Sequence, residues 1–158
     1  MQENVRPDAR LKQKLAAGTL NIPDRALLAL ADTAAGLLPG AAVYTGPIRQ
    51  DVKLPAVFVR FYEIHNAQKL EDLTGYELAF DLAYWPEDSR SDTELRDALC
   101  ALEQGLYRLP WGDEEYTVYR KSGSITDRVA HITGMIRALE QTVPDDPYIE
   151  KAKKEVTI

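Results

Sequence analysis

Histidine, cysteine and clustered carboxylates are the residue types here that could carry chemistry, and their spacing argues against most of it. His65 and His131 are the only histidines. Each sits in a strand-like stretch without a second ligand at metal-binding spacing, so no HExxH-type site can form and both are expected to be structural or surface residues. Cys100 is the single cysteine, which leaves no intramolecular disulfide and no cysteine-based zinc site within one chain. It lies beside an apolar helical stripe, where a half-buried small residue is the ordinary expectation; a nucleophile would need a distant histidine within reach. Carboxylates gather at Glu87-Asp88, Asp113-Glu114-Glu115 and Asp145-Asp146. Such loops can attract a hard cation, but most are simply solvated. The run Asp88-Ser89-Arg90-Ser91-Asp92 fails as a DxSxS metal loop, because Arg90 and Asp92 stand where serine is required. No GxxxxGK[ST], GxGxxG or GxSxG pattern occurs. We therefore expect no enzyme, with no catalytic residue, metal ligand or cofactor.

Charge carries more information. The 158-residue chain has a net charge of −6 and a pI near 5.0, which argues against a surface that neutralises many nucleic-acid phosphates. The charge is also uneven: between Glu71 and Glu115 thirteen acidic residues face only Arg90, Arg96 and Arg108, so the remainder is net basic. If those segments separate in space, opposed patches can join copies head to tail, and such a contact closes into a ring when the rotation allows it. A solvated acidic helix face is the plainer explanation. Trp85 and Trp111 bracket the acidic helix and are candidate interface anchors, although core lids account for them equally well.

The elements that would position these residues follow from periodicity. Length and composition fit one globular domain able to bury its own core. No signal peptide and no membrane-spanning stretch is expected, and the lone cysteine fits a reducing cytoplasm. Residues 1–20, with Arg6, Arg10, Lys12 and Lys14, read as an arm or short helix. Residues 21–141 read as the folded domain and residues 142–158 as a C-terminal arm. Asn21 caps a helix with Pro23 and Asp24 in its first turn, and Leu27, Leu30, Ala31, Ala34 and Leu38 form its apolar face. Residues 43–55 read as a loop or at most an edge segment, Ala56–His65 as a strand and 66–75 as a connection. From Tyr76 to Trp85 large apolar residues alternate with smaller or charged ones, a clear strand pattern ended by Pro86. Ser91 and Glu94 form a capping box opening a helix whose stripe, Leu95, Ala98, Leu99, Leu102, Leu106, runs to Leu109, with Pro110 as its breaker. Tyr116–Arg120 reads as a short strand, Lys121–Ser124 as a turn and Val129–Leu139 as a strand. The predicted fold class is α+β: a mainly antiparallel four-stranded sheet with helices packed on one face.

That succession resembles a known family. The Leu-rich helix ending at Leu38-Pro39 is followed by Val43-Tyr44-Thr45, Ile48-Arg49-Gln50-Asp51 and Leu54-Pro55-Ala56-Val57-Phe58-Val59. Then come Tyr76-Glu77-Leu78-Ala79-Phe80-Asp81-Leu82-Ala83-Tyr84-Trp85-Pro86, an acidic helix and a last strand, Val129-Ala130-His131-Ile132-Thr133-Gly134-Met135-Ile136-Arg137. From about Asp24 to Glu140 this pattern resembles the tail terminator proteins of long-tailed bacteriophages and prophages. It consists of strand residues without an invariant catalytic set.

The resemblance implies a structural protein of the virion, assembled in the bacterial host cytoplasm and located at the tail-neck junction. It would cap the tail tube, stop its polymerisation and offer a surface to a head-completion or neck protein, as a ring that is hexameric in related proteins. DNA would pass through the channel without specific binding, and no membrane is involved. Glu77 and Asp81 are candidates either for a phosphate-repelling channel lining or for cross-strand pairing with Arg60 and Arg137; both uses stay open. The interface or channel candidates are thus Arg60, Glu77, Asp81, Trp85, Trp111 and Arg137. The alternative is a small cytoplasmic α+β ligand-binding or regulatory domain, which requires a closed apolar pocket between helix and sheet. The end of the tail, Val156-Thr157-Ile158, is a further candidate to add as a strand to a neighbouring subunit, so that loss of residues from Tyr148 onward would weaken assembly.

Overall fold

The computed structural model describes residues 1–70 and 73–141. Its elements in chain order are β1 (Val5–Arg6), α1 (Ala9–Ala17), α2 (Ile22–Leu37), β2 (Ala42–Tyr44), β3 (Ala56–Leu70), β4 (Leu73–Trp85), α3 (Asp92–Gly105), β5 (Arg108–Trp111), β6 (Glu114–Thr126) and β7 (Val129–Gln141). The seven strands form one sheet in the order β1-β2-β3-β4-β7-β6-β5. The four long strands pair antiparallel, whereas β1 runs parallel to β2 and β2 parallel to β3.

The expected four-stranded, mainly antiparallel sheet is therefore corrected to a seven-stranded mixed sheet that curls into a half-barrel. The cause of the curl is visible in what α2 touches. This helix packs against β1 and β2 at one end of the strand order, against β3, β4 and β7 in the middle, and against β5 at the other end. Ala26, Ala29, Leu30, Ala31 and Ala34 are fully enclosed, and their small size lets strands approach the helix from several sides. A flat sheet could not reach around one helix in this way.

Local chemistry explains each boundary. Asn21 and Asp24 make a reciprocal capping box, each side chain accepting the other residue's backbone N–H. At α3 only half of the expected box forms: Ser91 Oγ accepts from Glu94 N at 3.1 Å, while Ser91 N donates to Asp88 O instead. The Glu94 carboxylate accepts from the backbone N–H groups of Glu87 (2.7 Å) and Asp88 (3.1 Å) and from the Tyr84 hydroxyl (2.8 Å). It thereby ties the start of α3 to the end of β4. Helix α3 stops at Gly105, earlier than the predicted end at Leu109, and Leu109 is instead a buried residue of β5. Pro110 does not break a helix; it sits in an outermost strand, where its missing N–H costs the sheet nothing.

Two further expectations are corrected. Residues 66–70 and 73–75, read as a connection, extend β3 and β4. Residues 121–124 are not a turn but the second half of β6, after an irregularity between Tyr119 and Ser122 where Arg120 adopts a φ of +55°. They are held as a strand by pairing with β7, Ser122 opposite Thr133, Gly123 opposite Ile132 and Ser124 opposite His131. The reversal comes instead at Asp127 and Arg128, both with positive φ, as a two-residue hairpin turn matched to strand twist requires. Residues of the C-terminal arm, including Val156-Thr157-Ile158 and Asp145-Asp146, lie outside the described residues.

Candidate assembly face

Strand alternation gives β3, β4 and β7 two unlike faces. On one, Val57, Val59, Leu78, Phe80, Leu82, Ile132 and Ile136 are completely buried toward the helices. On the other, the registers align Phe58 with Ala83 and His131, Arg60 with Asp81 and Thr133, and His65 with Glu77 and Arg137. On this side Arg60 (68% exposed) and Arg137 (48%) keep contact with solvent. The sequence-predicted residues Arg60, Glu77, Asp81, Trp85 and Arg137 thus share one face of the sheet. Trp111 does not join them; it lies on β5 and packs against the core.

The cross-strand pairs are made. Arg60 lies 3.6 Å from Asp81, and Arg137 lies 3.8 Å from Glu77. Asp81 also holds the ring of His131, with Nδ1 3.1 Å from Oδ1. Arg137 stacks over the Tyr119 ring at 5.1 Å. His65 pairs with Glu63 at 2.7 Å on the same side. Both histidines are therefore engaged by carboxylates on the open face. Cys100 is exposed on α3 in a shallow cleft with Arg96, Leu99, Glu103, Gln104 and Gly123, and no histidine lines that cleft. Among the described residues no group of three His, Cys, Asp or Glu side chains is placed to hold a metal ion.

At one end of this face, where β2 leaves β3, a cavity of about 750 Å³ opens. Its apolar wall is Phe58, Ala83, Trp85, Pro47 and Ile48, and Arg60, Asp81 and His131 close its polar side. Trp85 packs edge-on against Phe58, which itself stacks on Tyr44. The indole Nε1 of Trp85 is buried and finds no hydrogen-bond acceptor among the described residues, an arrangement that costs about 1–3 kcal/mol where no acceptor is supplied.

The acidic groups of α3 and of the β5–β6 hairpin are partly compensated by basic neighbours: Arg128 pairs with Asp92, Lys121 with Glu103 and Arg108 with Glu115. Arg25 of α2 reaches Glu114 at 3.1 Å. Burial opposes the Arg25 charge, but the hydrogen bond to Tyr116 and the negative charge of Glu114 outweigh it and raise its pKa. Burial and the hydrogen bond to Glu114 push the Tyr116 phenol up to about 12. Tyr84 is raised for the same reasons, burial first and then its bond to Glu94. These phenols are structural donors at the rims of the core.

The profile of a family described as phage tail terminator protein matches residues 32–148. The chain belongs to the phage tail terminator family. No curated protein matches the sequence. Among solved structures, the chain is similar to one described as "Virion of native gene transfer agent (GTA) particle", with 15% identity, a TM-score of 0.47, and coverage of 83% of this chain and 91% of that one. As a tail terminator family member the protein is a structural component of the virion tail, a setting in which it assembles with other tail and head proteins. Sequence reasoning found five of the residues on the open sheet face through strand alternation. It missed the cavity, because Pro47 and Ile48 reach Trp85 only through the path of the β2–β3 loop.

Proposed function

We propose that the protein ends tail-tube growth by sitting on the tube as a ring, and that its free side receives a head-completion or neck protein. Membership of the tail terminator family over residues 32–148 is the observation that carries this reading. Repetition of one head-to-tail contact between copies generates a closed ring when the rotation fits. Hexameric closure is the stoichiometry we expect.

Glu77 and Asp81 are compensated on their own face by Arg137 and Arg60. That balance favours a protein contact surface over a phosphate-repelling lining for these two residues. Passage of DNA without specific binding rests instead on the net charge of −6. Electron microscopy of purified tail tubes mixed with the protein tests the reading. Density confined to tube ends, with tube lengths frozen after addition, is expected; bare ends and continued growth would sink it. The ligand-binding alternative asks for an enclosed apolar pocket between helix and sheet, whereas the cavity at Trp85 opens on the opposite face.

A further inference from the structure

Strand β3 outruns the strand on its outer side. Its pairing with β2 ends at Phe58 opposite Tyr44, and Pro47 and Ile48 of the following loop line the Trp85 cavity together with Phe58, Val59 and Arg60. Past that loop no described strand pairs with the outer side of β3, although its inner side keeps an unbroken register with β4 from Glu63 to Gln68. Tyr62, Glu63, Ile64, His65 and Asn66 are all exposed. A regular strand with one row of unpaired N–H and C=O groups is a template for another extended chain.

What this edge presents is complementary to itself. On the helix-facing side a row crosses the sheet, with Ile64 opposite Leu78 and Leu78 opposite Ile136. Leu78 and Ile136 are completely buried, whereas Ile64 is 54% exposed, so the apolar row ends unfinished at the edge. The residues on either side of Ile64, Glu63 and His65, point to the open face and carry an acceptor and a donor that meet at 2.7 Å within the chain. When two copies pair antiparallel edge to edge, the two-fold axis stands perpendicular to the sheet and keeps each face on its own side, so residues of like face stand opposite one another. With the axis at Ile64, that residue meets Ile64 of the second copy, and Glu63 of each chain meets His65 of the other. The apolar row then runs through both sheets, and each carboxylate accepts from the imidazole across the axis. Moving the axis one residue either way sets Glu63 against Glu63 or His65 against His65, which is unfavourable.

We propose that two copies pair antiparallel along the β3 edge, centred on Ile64, with Glu63 of each opposite His65 of the other. This contact closes on itself after two chains, so it is distinct from the head-to-tail contact of the ring and does not rest on that reading. In free copies it covers a strand edge that would otherwise recruit any extended chain.

Sedimentation of the full chain over a concentration series, without tail tubes, tests the pairing. The wild-type chain should show a monomer–dimer equilibrium. Ile64→Lys sets two ammonium groups at the axis and should weaken it roughly tenfold or more, as loss of a central anchor does. Glu63→His and His65→Glu each place like groups opposite one another and should weaken it too, whereas the double variant Glu63→His/His65→Glu restores the pairs and the dimer. All three side chains are more than half exposed, so circular-dichroism melts of the variants should superimpose on the wild type. A covalent readout stands apart from affinity. In a Cys100→Ser background Ile64→Cys should oxidise readily to a linked dimer, and Tyr107→Cys, at a 58% exposed position next to β5 at the far end of the strand order, should not. A wild-type chain that stays monomeric throughout, association unchanged in Ile64→Lys, or equal cross-linking at the two positions would overturn the pairing. Tube-end decoration tests the ring separately and is unaffected by any of these outcomes.

Discussion

The two faces of the β3–β4–β7 blade are built from alternate residues of the same strands, yet they solve different problems. On the helix-facing side Phe80, Leu82, Ile132 and Ile136 lose all contact with water. One residue along, Asp81, Thr133 and Arg137 stay in the wet, mixed-charge layer on the other side. Apolar burial is worth about 25 cal/mol per Å², whereas exposed ion pairs contribute about 0–1 kcal/mol each. The stability of the fold therefore resides on the first face, and the second is free to be shaped by what it must contact. Sequence neighbours on opposite faces should respond to mutation in opposite ways.

Phe80 and Asp81 are the sharpest such pair. Phe80→Ala should destabilise the monomer by about 3–5 kcal/mol in urea unfolding, the usual cost of removing a buried aromatic ring. Asp81→Ala, one residue away, should cost about 1 kcal/mol or less, since its partner Arg60 is mostly exposed. Comparable losses at the two positions would break the division between the faces. A smaller effect on the same side comes from adding volume. A Cβ on Gly134 would lie 2.9 Å from two ring carbons of Phe80, and Phe80 is fully enclosed, so the ring must shift. Gly134→Ala should cost about 1–3 kcal/mol by overpacking, and Gly134→Ala in a Phe80→Leu background should cost markedly less.

How much of this was legible beforehand depends on length and on what lies opposite. Strands β3, β4 and β7 and helices α2 and α3 announce themselves because each repeats its period for ten or more residues, β4 most clearly. Strands β1, β2 and β5 have two to four residues, too few to express any period, and they are strands only because longer neighbours pair with them. Lys121-Ser122-Gly123-Ser124 has turn composition but forms strand because β7 pairs with it, which no local rule contains. The same holds for the candidate site. Alternation along β4 placed Glu77 and Asp81 together and made Arg60 and Arg137 natural partners. The cavity at Trp85 depends on a loop path, and Trp111 was separated from Trp85 by the shortening of α3 and the appearance of β5.

Alkaline titration probes the rim of the apolar side. Tyr84 and Tyr116 hold their protons above the ordinary phenol value of 10, Tyr116 up to about 12, because burial and bonds to Glu94 and Glu114 favour the neutral form. The unfolded chain releases these protons first. Their contribution is complete below about pH 10 and is lost as pH rises toward the folded-state values, with a slope of up to about 1.4 kcal/mol per pH unit for each phenol. Urea midpoints should therefore drop between pH 10 and 12, and Tyr116→Phe should flatten that drop. An unchanged slope in Tyr116→Phe would show that its proton is not held by the fold.

The smallest expected effect is the most informative about the open face. Arg137 and Glu77 lie 3.8 Å apart with side chains 48% and 36% exposed. A double-mutant cycle of Arg137→Ala and Glu77→Ala should yield a coupling of about 0.2–1 kcal/mol that shrinks as salt rises from 50 to 500 mM. A pair that weak cannot be what maintains four charges, Arg60, Asp81, Glu77 and Arg137, in matched cross-strand register. If the same variants leave the monomer intact but lower tube-end occupancy, the register serves contacts between chains. A salt-insensitive coupling above about 2 kcal/mol would mean instead that the open face holds the fold together, and the contrast between the two sides of the sheet would collapse.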